Sequence, residues 1–175
     1  LISGLALLFG IFLLFWYNGV YTWLKRTTAW AAVPGGLIGA IPPVMGWVAA
    51  GGGVGELKIW SVAAFFFIWQ IPHFWLLAMI YSQDYAQAGF PCLTQKFSTR
   101  QIAWLICGCL TLTIAMSLYL PMVWEIERPV IGLAFVASTL WLAAVCLGIL
   151  HQHSTPMLRF AFIHVNLYAF WIMAL

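Results

Sequence analysis

The chain has 175 residues, of which 65% are hydrophobic and only 6% are charged, whereas an average soluble domain has about 25% charged residues. This composition excludes an ordinary soluble domain and indicates a protein embedded in a lipid bilayer. The net charge of +3 does not indicate a nucleic-acid partner, because the basic residues stand singly or in pairs between apolar runs, where they act as topology signals.

Six apolar stretches predict an all-α bundle of transmembrane helices, since a helix needs about 20 apolar residues to cross a bilayer. Together they form a single domain over residues 1–175, and they cover residues 1–24, 31–50, 58–81, 102–122, 130–150 and 157–175. The second stretch is rich in Gly and Pro, a composition typical of membrane helices that approach a neighbour or a ligand closely. The four cysteines show no CxxC or zinc-ligand spacing, so we expect neither a disulfide nor a zinc site.

The loops between these stretches predict the orientation of the chain. Alternate connections carry most of the basic residues, which are Lys25, Arg26, Lys96, Arg100 and Arg159; the opposite connections mix Lys58 and Arg128 with Glu56, Glu125 and Glu127. The positive-inside rule places the first set in the cytoplasm. We therefore expect a multi-pass protein of the plasma (inner) membrane, with its chemistry at the cytoplasmic loop over residues 82–101.

The first stretch ends in YNGVYTWLKRTT, which has two interpretations. Tyr17, Tyr21 and Trp23 fit an interfacial aromatic belt, and Lys25 with Arg26 fits a topology anchor. Alternatively, the two cations hold a phosphate at the membrane surface, and the tyrosine rings stabilise a nearby carbocation.

The third stretch contains WQIPHFWLLA, in which Gln70 and His73 interrupt an apolar run. Residues three apart share a face of an α-helix, and Asp84, eleven residues further on, returns to nearly the same direction. We therefore expect one polar stripe that runs from the middle of the membrane to the cytoplasmic rim. The alternative is that Gln70 and His73 only form hydrogen bonds with a neighbouring helix.

Other polar residues carry weaker signals. Asp84 is either a solvated helix cap or a magnesium ligand whose partner acids lie outside this chain. His151 and His153 lie in a predicted exposed turn, and His164 and Asn166 are expected to form interhelical hydrogen bonds. Haem ligation by one of these later histidines is the less favoured alternative.

Four motifs, in this order, identify a family. YTWLKRTT, GGLIGAIPPVMGWVAAGG, WQIPHFWLLA and DYAQAGFPCL together resemble the UbiA superfamily of intramembrane prenyltransferases, in particular its haem-farnesylating branch. The resemblance implies a fold of about nine helices, of which this chain supplies the last six, or about two-thirds. The first acidic motif of the family would precede Leu1, so we expect the chain to be a fragment that is inactive alone.

The resemblance also implies substrates and a metal. They are farnesyl diphosphate, haem B as the acceptor, and Mg²⁺ bound through the diphosphate to Asp84 and to acids upstream. Lys25 and Arg26 would neutralise the diphosphate, and Tyr21 with Asp84 would take part in catalysis. A haem A synthase or an oxidase assembly factor is the implied protein partner.

The acceptor site implied by the resemblance centres on His73, which would contact the haem, with Gln70 orienting the imidazole. Ala29, Ala31 and Cys92 depart from the family pattern and leave other acceptors open, such as a quinone precursor or chlorophyllide. Two alternatives belong to other classes: a haem-binding electron-transfer subunit, and a transporter with a broken second helix.

Overall fold

The computed structural model describes residues 4–175, which are helical apart from short connections. Six of its helices are long and apolar enough to cross a membrane, as predicted, and one further α-helix is short. In chain order they are α1 (Gly4–Thr27), α2 (Ala29–Ala49), α3 (Leu57–Ile80), α4 (Ser82–Gln87), α5 (Thr99–Val123), α6 (Pro129–His151) and α7 (Thr155–Ala174). The chain is therefore a multi-pass membrane protein with an all-α fold.

Helix α1 differs from the prediction in two ways. It continues to Thr27, so Lys25 and Arg26 lie in its last turn and not in a loop. It also contains a π-helical segment, Trp16–Tyr21, in which the backbone N–H of Thr22 donates to the carbonyl of Tyr17, five residues earlier. Such segments insert one extra residue into an α-helix and are frequent at functional sites.

Helix α2 begins at a local cap and continues through two prolines. Thr28 is extended, and its hydroxyl accepts a hydrogen bond from the backbone N–H of Trp30 at 3.2 Å, so a 3-10 turn can start directly after α1. Pro42 and Pro43 lie inside the helix, which nevertheless continues to Ala49. The chain then turns at Gly51, whose φ of +93° is accessible to glycine without strain.

Helix α3 lies at the centre of the bundle, because it packs against α2, α5 and α7. The side chains of Phe65 and Leu76 on this helix are fully buried, and they belong to a core shared with α5, α6 and α7. By contrast, the first half of α1 exposes most of its large apolar side chains, as a lipid-facing helix does. The helix with the most neighbours is thus the one that carries Gln70 and His73.

Indole N–H groups join the helices in pairs. Trp16 donates to the carbonyl of Pro34 on α2 at 2.9 Å. Trp69 on α3 donates to the carbonyl of Val165 on α7 at 2.9 Å. Trp171 on α7 donates to the hydroxyl of Ser138 on α6 at 2.8 Å. A tryptophan within a bilayer has no water to bond, and for these three a carbonyl or hydroxyl of the next helix satisfies the N–H, whereas Nε1 of the buried Trp75 has no partner within residues 4–175. These bonds fix how neighbouring helices face one another.

Helices α2 and α3 approach closely at Gly36. A Cβ atom added to Gly36 would lie 2.8 Å from the backbone carbonyl oxygen of Phe67, which cannot move without moving α3. Small residues allow this kind of approach between membrane helices. Gly46, further along α2, has no atom within 4 Å of the corresponding position.

We expect Gly36→Ala to destabilise the protein by about 1–3 kcal/mol, the usual cost of overpacking a close contact. Thermal unfolding in detergent, followed by tryptophan fluorescence, measures the change. Gly46→Ala is the matched control, because it adds the same methyl group to the same helix in open space and improves helix propensity by up to about 1 kcal/mol. Equal melting temperatures for the two variants would show that the approach at Gly36 contributes no stability.

Candidate functional site

The imidazole of His73 bonds across the bundle to Asn166. Its Nδ1 lies 3.0 Å from Oδ1 of Asn166 on α7, and the amide nitrogen of Asn166 donates to the carbonyl of Phe162 at 2.6 Å, one turn earlier on the same helix. The predicted interhelical hydrogen bond of Asn166 is thus confirmed. It joins the only histidine of α3 to the last helix of the chain.

Aromatic rings surround the same imidazole. The ring centroids of Trp69, Phe74 and Phe162 lie 5.0, 5.4 and 5.0 Å from that of His73. Contacts at these distances restrict rotation of the ring. His73 is partly exposed, so the packing holds the ring without sealing it from a ligand.

Gln70 lies one turn before His73 and faces α2. Its side-chain amide packs against Gly39, where a Cβ atom would collide with it. Nδ1 of His73 therefore bonds to Asn166 and not to Gln70. The role of Gln70 in binding the acceptor stays a prediction.

Tyr21, the last residue of the π-helical segment, lies between α2 and α3. Its ring packs on Gly35 so closely that a Cβ atom there would lie 2.8 Å from it, and its centroid is 6.1 Å from that of Phe74. Phe74 in turn contacts His73. Tyr21 is therefore separated from the imidazole by a single intervening ring.

Lys25 follows Tyr21 by one turn and lies above it, with Nζ 5.7 Å from the centre of the Tyr21 ring. Both residues line a small cavity of about 60 Å³, together with Thr28, Tyr85 and Cys92. Burial raises the pKa of the Cys92 thiol, which therefore stays protonated at neutral pH and is a poor nucleophile. Basic, aromatic and hydroxyl groups from four segments meet at this end of the bundle, which we call the Lys25 end.

The neighbouring cation, Arg26, is exposed in the last turn of α1 and is not among the residues that line this cavity. Its guanidinium is accessible to a ligand that approaches from outside the bundle. A role in diphosphate binding stays a prediction for Arg26 as well as for Lys25.

Asp84 lies at the Lys25 end, although the predicted stripe was wrong in its geometry. Helix α3 ends at Ile80, and Tyr81 leaves the helical conformation with φ −108° and ψ 28°. Asp84 consequently belongs to the separate helix α4, so its direction does not follow from the periodicity of α3. It is exposed beside Tyr85, which lines the same cavity as Tyr21 and Lys25.

The donor set at Asp84 fits part of a magnesium site. Within residues 4–175, no group of three or more His, Cys, Asp and Glu side chains could hold a metal ion. Mg²⁺ bound to a phosphorylated substrate needs only one or two protein carboxylates, because phosphate oxygens and water complete its six ligands. Asp84 can therefore serve as one ligand, but it cannot form the site alone.

The later histidines differ from the prediction at two positions: His153 is half-buried, with its Nδ1 buried and without a hydrogen-bond partner among the described residues, and His164 bonds within its own helix. Nδ1 of His164 bonds to the carbonyl of Phe160 on its own helix at 2.8 Å, so the interhelical hydrogen bond expected for this nitrogen is wrong. The ring stacks on Phe160 and meets the edge of Trp141 on α6. His151 is exposed at the end of α6, as predicted for that turn.

An apolar cleft opens between α3 and α7 beside the imidazole. Its volume is about 550 Å³, and it is lined by Phe66, Trp69, Asn166, Ala169, Phe170, Met173 and Ala174. Asn166 supplies the polar side chain of this lining. The cleft suits a large apolar ligand that is recognised at one end by a hydrogen bond.

The sequence did not indicate that two further residues contribute to this arrangement. Phe74 and Tyr85 each adjoin a residue of predicted function, but aromatic side chains in an apolar chain carry no distinguishing pattern. Their roles depend on which helices pack together, and the sequence alone does not state this.

Comparison with known proteins agrees with the motifs. The chain is 48% identical over 87 residues to a protoheme IX farnesyltransferase of Geobacter sulfurreducens, an alignment that covers 50% of this chain and 32% of the relative. A protein of the same name from Ruegeria pomeroyi is 50% identical over 97 residues, covering 55% and 30%.

A longer alignment, with a protoheme IX farnesyltransferase of Opitutus terrae, has 34% identity over 143 residues, covering 81% of this chain and 48% of the relative. This chain thus spans between about a third and a half of the relatives that it matches. No solved structure matches significantly. The sequence model of the UbiA prenyltransferase family matches residues 1–171, nearly the whole chain, and the chain therefore belongs to that family.

Proposed function

We propose that this chain forms the C-terminal part of an enzyme that transfers a farnesyl group from farnesyl diphosphate to a vinyl group of haem B, producing haem O. Membership of the prenyltransferase family supports the reaction class, and the printed names of the relatives support the substrates. The observation that carries the proposal is the position of Tyr21 between Lys25 and Phe74, whose other neighbour is His73.

This arrangement matches the order of groups that the reaction needs. A leaving diphosphate requires cations, the allylic carbon that it leaves requires electron-rich surfaces, and the acceptor must lie on the far side of that carbon. Lys25, the ring of Tyr21 and the imidazole of His73 follow one another in the same order. The rings of Tyr21 and Phe74 stand between them, and such apolar surfaces would exclude water from a reactive cation.

At the Lys25 end, we assign diphosphate binding to Lys25 and Arg26. Each cation neutralises part of the charge that develops on the departing oxygen, and the guanidinium of Arg26 can bind two oxygens at once. Asp84 would hold Mg²⁺ together with phosphate oxygens and with acids outside the described residues. When bound, this ion adds further stabilisation of the leaving group.

At the acceptor end, His73 contacts the haem, and Gln70, one turn earlier and facing α2, contributes to the same acceptor site. The carbon–oxygen bond of farnesyl diphosphate breaks, and a new carbon–carbon bond forms to the terminal vinyl carbon. Water adds to the other vinyl carbon and loses a proton, which leaves a hydroxyethylfarnesyl chain. The apolar cleft next to Asn166 offers a place for the apolar parts of these substrates.

The setting of the enzyme follows from the same assignments. From the positive-inside rule we assign the Lys25 end to the cytoplasm and the helices to the plasma (inner) membrane. Haem O would pass to a haem A synthase or to an oxidase assembly factor, because a membrane-bound product of this kind serves a terminal oxidase.

The first prediction concerns the product. The test uses a fused protein, in which the N-terminal part of the Geobacter sulfurreducens relative precedes Leu1, because this chain spans only part of that relative. With haem B, farnesyl diphosphate and Mg²⁺, we expect haem O, detected by mass spectrometry. This chain expressed alone should make none, since residues 4–175 contain no group of three or more side chains that could hold a metal ion with Asp84.

Two results would contradict the proposal. Turnover of a quinone precursor such as 4-hydroxybenzoate, without turnover of haem B, would reassign the acceptor within the family. A stable haem spectrum that is indifferent to farnesyl diphosphate and Mg²⁺, without product, would indicate an electron-transfer subunit. Omission of Mg²⁺ with added chelator tests the metal separately and should abolish haem O formation.

The second prediction concerns Lys25. Lys25→Gln should raise the KM for farnesyl diphosphate at least about tenfold, because a hydrogen bond to a charged group contributes about 1.5–3 kcal/mol. Steady-state kinetics of the fused protein measure the change, and Lys25→Arg should retain most of the affinity. Lys58→Gln, at the opposite end of α3, is the matched control. An equal rise in KM for both glutamine variants would remove Lys25 from the diphosphate site.

A further inference from the structure

The side-chain amide of Asn166 has a defined orientation. One of its two terminal atoms lies 2.6 Å from the carbonyl oxygen of Phe162. A carbonyl oxygen only accepts hydrogen bonds, so the atom facing it must be the amide nitrogen. The amide oxygen therefore faces α3 and His73.

This orientation determines which nitrogen of His73 carries the proton. The amide oxygen of Asn166 only accepts, and it lies 3.0 Å from Nδ1 of His73, so Nδ1 must be the donor. In a neutral imidazole with its proton on Nδ1, the other nitrogen, Nε2, holds a lone pair. Nε2 is then able to ligate a metal or accept a proton.

The position of the ring is fixed along with its tautomer. Trp69 stacks near the imidazole and is itself tied to α7 through the carbonyl of Val165, the residue before Asn166. Two adjacent residues of α7 therefore hold the same turn of α3. Asn166 also lines the apolar cleft, so the group that sets the tautomer borders the space available to an apolar ligand.

We propose that Asn166 is a positioning residue, which holds His73 with its proton on Nδ1 so that Nε2 presents a lone pair to the iron of the haem substrate. The inference rests on the proposed function, since it assumes that the acceptor is a haem. Outer partners of this kind orient a histidine ligand and increase its basicity, and their removal typically costs 10–100-fold in metal affinity.

His164 provides a contrast within the same helix. Its Nδ1 bonds to a backbone carbonyl of α7, so the ring belongs to that helix alone. The bond of His73 instead crosses between two helices. Of these two histidines, His73 is the one whose Nδ1 bonds to a side chain, which can be replaced by mutation. That side chain therefore controls both the tautomer and the direction of the His73 ring.

The first experiment observes the tautomer without haem. The fused protein is labelled with ¹⁵N-histidine, and the His73 signals are identified by their loss in His73→Gln. We expect a protonated Nδ1 and an unprotonated Nε2 at a pH where the ring is neutral. In Asn166→Ala, the opposite tautomer should appear. A proton on Nε2 in the unmodified protein, or an unchanged tautomer in Asn166→Ala, would overturn the proposal.

The second experiment titrates the fused protein with ferric haem B and follows the Soret band. Asn166→Ala should weaken binding at least about tenfold and reduce the imidazole-ligated spectrum. Asn166→Asp, whose carboxyl when protonated can donate to the carbonyl of Phe162 and keep an acceptor oxygen opposite Nδ1, should restore both. Equal losses in the two variants would indicate a merely structural role. If Asn166→Ala does not fold, a tenfold loss in folded Asn166→Asp still overturns the proposal.

Two further variants separate this inference from the proposed function. If His73→Ala retains haem affinity, the acceptor role of His73 fails, and the inference fails with it. If His73→Ala loses affinity while Asn166→Ala does not, the proposed function stands and the positioning role is wrong. His164→Ala is the matched control and should bind haem as the unmodified protein does.

Discussion

Hydrocarbon offers no hydrogen-bond partner, so polar groups within a spanning helix depend on partners in the protein, and Nε1 of the buried Trp75 is an exception that has none in the described part of the chain. The indoles of Trp16, Trp69 and Trp171 and the imidazole of His73 satisfy this requirement by bonding to the next helix. In water the same groups could bond to solvent and leave the helices free to rotate. Within a bilayer the cost of an unsatisfied group fixes which faces meet. The apolar packing then fills the space that these bonds leave.

Helix α3 combines the structural centre of the bundle with the residues of greatest chemical interest. It packs against α2, α5 and α7, and its middle turns carry Gln70 and His73. Such a helix has little freedom to tilt, because neighbours constrain it on several sides. Polar residues on a rigid central helix keep their geometry better than residues on loops. The groups at the Lys25 end come instead from helix ends and a loop, as suits a site that admits a charged substrate.

The spanning helices were predictable, because length and hydropathy alone decide whether a segment crosses a bilayer. The sequence also predicted that Tyr21, Lys25 and the loop after α3 lie at the same end of the bundle, because successive connections lie on opposite sides of the membrane. Helical periodicity failed at Asp84, because one residue, Tyr81, ends α3 and begins a new direction. The pairing of His73 with Asn166 joins residues 93 positions apart, and no local pattern specifies which of several polar residues on α7 will face α3. Hydropathy and helical periodicity did not indicate a reaction, whereas the four motifs that resemble the family did.

The π-helical segment of α1 separates two functions that would otherwise compete for one helix. Before it, side chains such as Leu8 and Leu14 are exposed on the surface of the bundle; Tyr21, the last residue of the segment, and Lys25 line the cavity at the Lys25 end. An extra residue shifts the angular phase of everything that follows by about 100°. The exposed half can therefore present an apolar surface to lipid or to further helices, while the following half keeps its alignment with α2 and α3. A register change of one residue thus gives a single membrane span two differently directed faces, one on the outer surface of the bundle and one at the cavity.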